Sequence, residues 1–188
     1  VAISLRLADV PTDEEILELS RRNPGFQFER TAAGELVVTP SGSRAGRRDL
    51  LLGVQLHAWA EKDGRGLVFG PSTGFRLPDG SLLSPDASWV RRERWSALSP
   101  AQQEGFAPFC PDVVFEIASQ SDAVPALRRK MHVYLANGGR LAVLIDPQRR
   151  AVEIYTLDGE PVVIESAEIV SLDPTLKGFM LDLRPIFE

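Results

Sequence analysis

Two hydrophobic periods run through the chain, and between them they mark out most of its elements. Thr12-Asp13-Glu14-Glu15 ahead of Ile16, Leu17 and Leu19 predicts a capped helix that stops near Asn23-Pro24-Gly25. Residues 26–30 and 35–39 predict two short strands, turned at Ala33-Gly34. Past the loop Pro40-Ser41-Gly42-Ser43, helical spacing resumes over roughly residues 47–61. There Leu50, Val54, His57 and Glu61 share a face, with Leu51 and Ala58 beside it. Residues 67–69, 74–77 and 82–90 predict strands, with Pro78-Asp79-Gly80 as a turn and Ser84-Pro85 interrupting the last. Residues 91–109 are polar and helical or irregular. Val113 to Ala118 then reads as a nearly continuous apolar strand holding one carboxylate, Glu116. Residues 122–137 predict a helix closed by Gly138-Gly139. Residues 141–145 and 151–157 predict a hairpin about Asp146-Pro147-Gln148, and 161–165 extend its sheet. Strand–helix–strand across 113–145 predicts an α/β or α+β fold, a mixed sheet flanked by helices. No repeat or linker divides it, so residues 1–188 read as one domain, with 1–25 as an N-terminal helical segment.

Composition narrows the class further. The 188 residues are 44 % hydrophobic and 25 % charged, with 21 basic and 26 acidic side chains for a net charge of −5. That suits one globular domain and excludes collagenous, disordered and repeat proteins. The longest apolar runs, such as 141–145, are too short to cross a bilayer. Residues 1–10 include Arg6 and Asp9 and carry no signal-peptide pattern, so the expected location is cytoplasmic and no membrane partner is expected. One cysteine and two histidines leave neither an internal disulfide nor a usual zinc site, so a bound metal would need oxygen ligands. Cys110, between Phe109 and Pro111, reads as a small buried hydrophobe. The acidic balance argues against a non-specific nucleic-acid coat but permits a local basic groove.

Three residues stand out chemically. Period-two alternation places Val113, Phe115 and Ile117 on one face of their strand, and Glu116 with Val114 and Ala118 on the other. A carboxylate there costs several kcal/mol, on the order of the penalty for any buried ion, unless a cation or hydrogen bonds hold it. An edge position or a structural salt bridge would explain it as well as a functional site. Of three Pro-Asp pairs, Asp79 suits a turn and Asp112 a backbone hydrogen bond at a strand mouth. Asp86 instead leads into Ala87-Ser88-Trp89-Val90 and could project beside Glu116. Lys130 lies roughly 60° from Leu127 and 40° from Tyr134 around the later helix, bordering its buried face, with Arg128 about 160° away. Alone it would read as a snorkelling lysine. With the two carboxylates it completes a set able to address a phosphodiester. His57 reads as a partly buried structural histidine and His132 as solvated. Arg44, Arg47 and Arg48 at a helix start, and Arg91, Arg92 and Arg94, could meet phosphates or form solvated faces.

These residues sit in strings that carry a family resemblance. Ser72-Thr73-Gly74-Phe75-Arg76-Leu77-Pro78-Asp79-Gly80, Ser84-Pro85-Asp86-Ala87-Ser88-Trp89-Val90 and Cys110-Pro111-Asp112-Val113-Val114-Phe115-Glu116-Ile117 are the first three. Ser119, Ser121-Asp122 and Lys130 follow. Leu144-Ile145-Asp146-Pro147, Val152-Glu153-Ile154-Tyr155 and the close from Gly178-Phe179 to Phe187 complete the set. From Phe28 onward the chain resembles the endonuclease family, abundant in cyanobacteria, of the restriction-endonuclease-like PD-(D/E)XK superfamily. The resemblance implies a restriction-endonuclease-like mixed sheet and a metal-dependent DNA endonuclease. Asp86 and Glu116 would be ligands for Mg²⁺ or Mn²⁺. Lys130 would be the catalytic lysine, moved to the helix from the strand position that Ala118 holds here. Glu29, in Phe28-Glu29-Arg30, would be a supporting acidic residue of the catalytic site. Gln120 departs from the pattern, standing where the family commonly has proline. The expected partner is DNA, and a homodimer is compatible with this reading. The alternative is a catalytically inactive nucleic-acid-binding or protein-interaction domain of the same fold.

Overall fold

The computed structural model describes residues 2–120 and 122–188. Val1, in the segment read for a leader, and Ser121, in the motif ahead of the lysine-bearing helix, lie outside the described residues. The chain opens with β1 (Ile3–Leu5) and α1 (Asp13–Arg22). The strand corrects the expectation of a wholly helical N-terminal segment. Its three residues are exposed and pair with Leu36 to Val38, so no hydropathy period marks it. α1 starts as its sequence requires: Thr12 Oγ1 accepts from the Glu15 amide at 3.2 Å, and Glu15 returns a bond to the Thr12 amide at 2.7 Å.

There follow β2 (Phe26–Arg30), β3 (Leu36–Pro40), α2 (Ser43–Asp63), β4 (Gly66–Phe69), β5 (Phe75–Arg76), β6 (Leu82–Leu83) and β7 (Ala87–Arg91). Two one-turn helices, α3 (Arg92–Ser96) and α4 (Pro100–Glu104), lead to β8 (Val113–Ile117) and α5 (Val124–Ala136). The chain ends with β9 (Leu141–Asp146), β10 (Ala151–Thr156), β11 (Val162–Glu165), β12 (Ile169–Ser171), β13 (Met180–Asp182) and α6 (Arg184–Phe187).

A five-stranded sheet has the order β1-β3-β2-β6-β5, and a six-stranded sheet the order β11-β10-β9-β8-β7-β4. Among the strands of the described residues, only β8 and β9 pair in parallel, the geometry that demands a crossover, and α5 supplies it. Both of these strands are buried along their whole length, which is why they read as continuous apolar runs. Val113, Phe115 and Ile117 pack with Leu52 and Leu56 of α2 and with Leu181 and Ile186 near the C-terminus. Val114 and Ala118 pack with Met131, Tyr134 and Leu135 of α5. The alternation read from the sequence is therefore the alternation in the core.

α2 differs from expectation in phase and length. It begins at Ser43 and buries Leu52, Leu56 and Ala60, while Leu50 and Val54 are 66 % and 57 % exposed and His57 is exposed too. Two apolar stripes of i, i+4 spacing coexist on this helix, and the one continued by Ala60 is the one that faces the core. The consequence is measurable by urea denaturation. Leu52→Ala should cost roughly 2–5 kcal/mol, as buried leucine truncations do. Leu50→Ala should stay within about 0.5 kcal/mol. Equal losses would mean that the exposed stripe is covered in solution.

Candidate active site

The candidate residues converge where β7 begins and β8 ends. Ala87 is paired with Phe115 and Ser88 with Val114. One step further along the same ladder brings Asp86 opposite Glu116, where Cβ atoms of facing residues lie about 4.5–5.5 Å apart. Asp86 sits just before the strand because Pro85 cannot donate to the ladder. Its Oδ2 accepts instead from the Ile117 amide at 2.7 Å, tying the aspartate to the end of β8.

Glu116 is 5 % exposed. Its Oε1 accepts from Lys130 Nζ at 2.8 Å and from the Tyr134 hydroxyl at 2.8 Å. Lys130 and Tyr134 are four apart on α5, so one helix face delivers both donors. Gly138 and Gly139 close that helix: their amides bond to the Leu135 and Tyr134 carbonyls, with Gly138 at φ 99°. Glu29 arrives from the other sheet. Its Oε1 accepts from Lys130 Nζ at 2.9 Å and from the Ser84 amide at 2.7 Å. One oxygen thus positions both the lysine and the loop that carries Asp86.

Asp49, in the first turns of α2, is the member that the sequence did not disclose. Its charge acts on both Asp86 and Glu116. Only the buried Leu52–Leu56 stripe, at whose margin it lies, could have pointed to it. Glu29, Asp86 and Glu116 therefore share the Lys130 ammonium, and Asp49 adds its charge beside them. Desolvation raises Glu116 to about 8; Lys130 opposes the rise, and the charges of Asp86 and Glu29 add to it. Desolvation, then the charge of Asp49, raises Asp86 to about 7. Asp49 rises to about 6 by desolvation and the charge of Glu116. Burial disfavours the Lys130 ammonium, but Glu116 and Glu29 outweigh it and hold that pKa above the usual lysine range. Tyr134 stays a protonated donor, its pKa pushed up by burial and by Glu116.

The donor set suits a hard divalent cation. The second oxygens of Asp86 and Glu116 have no hydrogen-bond partner among the described residues, and the cluster carries an excess of negative charge. Among the described residues no three such side chains form a ready metal cage. The protein would supply two carboxylates and leave other positions to water and substrate, the pattern Mg²⁺ favours.

The remaining candidates have structural roles. Asp112 accepts from the Arg91 amide and pairs with the Arg91 and Arg94 guanidinium groups, and Asp79 accepts from Ser81 within its turn. Cys110 is buried, and burial first of all pushes its thiol up to about 12. Arg128 points away from the site, as its helix phase predicts, but forms a two-pronged pair with buried Glu153. At the start of α2, Arg47 pairs with Glu188, and Arg44 has no partner among the described residues. Half-buried Arg48 leaves its Nε unbonded. Burial, with Arg44 and Arg47 as neighbours, lowers the Arg48 pKa.

The model of the Uma2 family, described as "Putative restriction endonuclease", matches residues 13–184, and the chain belongs to that family. The crystal structure of a putative nuclease belonging to DUF820 from Anabaena variabilis ATCC 29413 has the same fold. Its TM-score is 0.74 at 18 % identity, over 94 % of this chain and 97 % of that chain. No curated protein sequence matches the chain.

The raised carboxyl pKa values set a sign for stability. The folded protein keeps protons that the unfolded chain gives up near pH 4–5. The associated stability is complete below that range and is lost as pH rises through about 6 to 8. In EDTA, wild type should therefore lose stability relative to Glu116→Gln between pH 5 and pH 8.5 in urea titrations. A difference that stays flat over that interval would show that Glu116 is ionised throughout.

Proposed function

We propose that the chain is a Mg²⁺- or Mn²⁺-dependent endodeoxyribonuclease that hydrolyses phosphodiester bonds at Asp86, Glu116 and Lys130. The observation that carries this reading is the arrangement of charge. One partly buried ammonium lies between Glu29 and Glu116 while, among the described residues, Glu116 and Asp86 each keep an oxygen without a hydrogen-bond partner. Asp86 and Glu116 would hold the ion, which when bound supplies positive charge at the phosphoryl group and a more acidic water. Lys130 would act as a donor rather than a base, because its two carboxylate partners keep it protonated. An ammonium fixed in a dry site can orient the attacking water and offset charge growing on the phosphate, with little reorganisation. Tyr134 would hold Glu116 Oε1 turned toward Lys130, leaving Oε2 for the metal. Glu29 would position Lys130 and the Ser84–Asp86 loop without touching substrate. Arg44 and Arg48, next to Asp49 and without carboxylate partners, would meet backbone phosphates of DNA. The family's description as a restriction endonuclease supports DNA as the substrate.

The test is nicking of supercoiled plasmid in Mg²⁺ or Mn²⁺, with melting curves for every variant. Lys130→Ala should lower the rate roughly a hundredfold or more, the scale for one preorganised donor. It should also cost stability, since two buried carboxylates lose their cation, so rates are compared well below each melting temperature. Glu116→Gln should abolish turnover. Arg129→Ala, exposed and remote, is the control; Arg128 is unsuitable because it neutralises Glu153. Full activity after exhaustive EDTA treatment, or equal activity in wild type, Lys130→Ala and Glu116→Gln, would exclude this site.

A further inference from the structure

A second site lies at the opposite end of the six-stranded sheet. Arg91 ends β7, five residues after Asp86, and Arg140 immediately precedes β9; at about 3.3 Å per residue this end is roughly 17 Å from the carboxylates. Here a cavity of about 490 Å³ is lined by Arg65, Trp89, Arg91, Glu93, Arg92 and Arg140, among other residues. Four guanidinium groups around one cavity are unexpected in a protein of net charge −5.

Their pairing leaves a definite charge. Arg65 pairs with Asp63 at 2.7 Å, Arg91 with Glu93 at 2.9 Å, and Arg94 with Asp112 at 2.9 Å. Arg92 reaches only the Gly64 carbonyl, at 3.3 Å, and the Arg140 guanidinium has no partner among the described residues. Two positive charges thus remain uncompensated at the cavity. Trp89 adds an independent signal. It is 3 % exposed, yet its buried indole Nε1 has no hydrogen-bond partner. Such a donor is costly when left unsatisfied. The indole edge bearing Nε1 lies against Gly66, where any Cβ would collide with it, so a glycine next to Arg65 lets the ring sit at the cavity wall.

We propose that this cavity binds a phosphate monoester of about nucleotide size. A phosphate dianion matches the two uncompensated guanidinium charges and offers enough oxygens for several arginine forks, with the Trp89 ring at the wall. The volume falls within the range of small-ligand sites and exceeds what a bare phosphate fills. The ligand's source is either a free nucleotide or the 5′-phosphorylated end of a nucleic acid. The inference does not rest on the nuclease reading, since none of its residues belongs to the carboxylate site.

Calorimetric titration in EDTA at 150 mM NaCl, on wild type and on Glu116→Gln, tests it with AMP, adenosine, inorganic phosphate and ten-nucleotide oligomers with and without a 5′-phosphate. AMP should bind at least tenfold more tightly than adenosine, equally to both proteins. The double variant Arg92→Ala/Arg140→Ala removes two exposed side chains, so it should melt like wild type and nick plasmid as wild type does. It should weaken AMP at least tenfold, and Trp89→Phe should weaken it severalfold. A 5′-phosphorylated oligomer binding as well as AMP, with its 5′-hydroxyl counterpart silent, assigns the site to nucleic-acid ends; AMP alone assigns it to free nucleotides. Absence of binding by every phosphate probe at millimolar concentration, or AMP affinity unchanged in the double variant, overturns the proposal.

Discussion

Burying Glu116 on a central strand is the constraint around which the rest of the site is arranged. An ionised carboxylate there must be answered by a cation and by hydrogen bonds, and α5 provides both through Lys130 and Tyr134. α5 can do so only because β8 and β9 are parallel, which brings a crossover helix back over the face that Glu116 shares with Val114 and Ala118. The lysine then needs a second anion, and Glu29 from the other sheet supplies it. Sheet pairing, helix crossover and the docking of one sheet on the other thus meet at a single ammonium nitrogen.

The protein buries other carboxylates, and the comparison separates scaffolding from chemistry. Glu153 is 1 % exposed, but Arg128, Arg149 and Tyr155 donate to it. Burial would raise its pKa; these donors outweigh burial and hold it below the usual glutamate value. Around Lys130 the balance runs the other way, with Glu29, Asp86 and Glu116 against one cation. Groups left under-compensated in this way hold free energy that a ligand of opposite charge can release, which is the physical reason perturbed carboxylates gather at working sites.

The main site was legible to the extent that local periodicity controls it. Period two along 113–118 put Glu116 on the correct face, and helix phase put Lys130 beside it, because both elements are regular and deeply packed. Glu29 entered through the family resemblance alone, since its partners come from a distant loop and helix that no local pattern connects. Asp49 stayed hidden because α2 carries two apolar pairs of equal i, i+4 spacing, Leu50/Val54 and Leu52/Leu56, and spacing alone does not say which one faces the core. β1 escaped for a related reason: three exposed residues on a sheet edge have no buried face to reveal a register. Arg128 was correctly turned away from the site, but its hold on Glu153 depends on a strand 25 residues later.

The span between Glu29 and Lys130, 101 residues, has a consequence for the growing chain. At synthesis rates of about 5–20 residues per second, Lys130 leaves the ribosome on the order of 5–20 s after Glu29. Just before then the nascent polypeptide has all four carboxylates and the loop that presents Asp86, but not the ammonium that answers them. Assembly of the centre is therefore timed late, after the first sheet has been made. A truncated product ending between β8 and α5 would contain all four carboxylates but lack Lys130 and Tyr134, which answer Glu116.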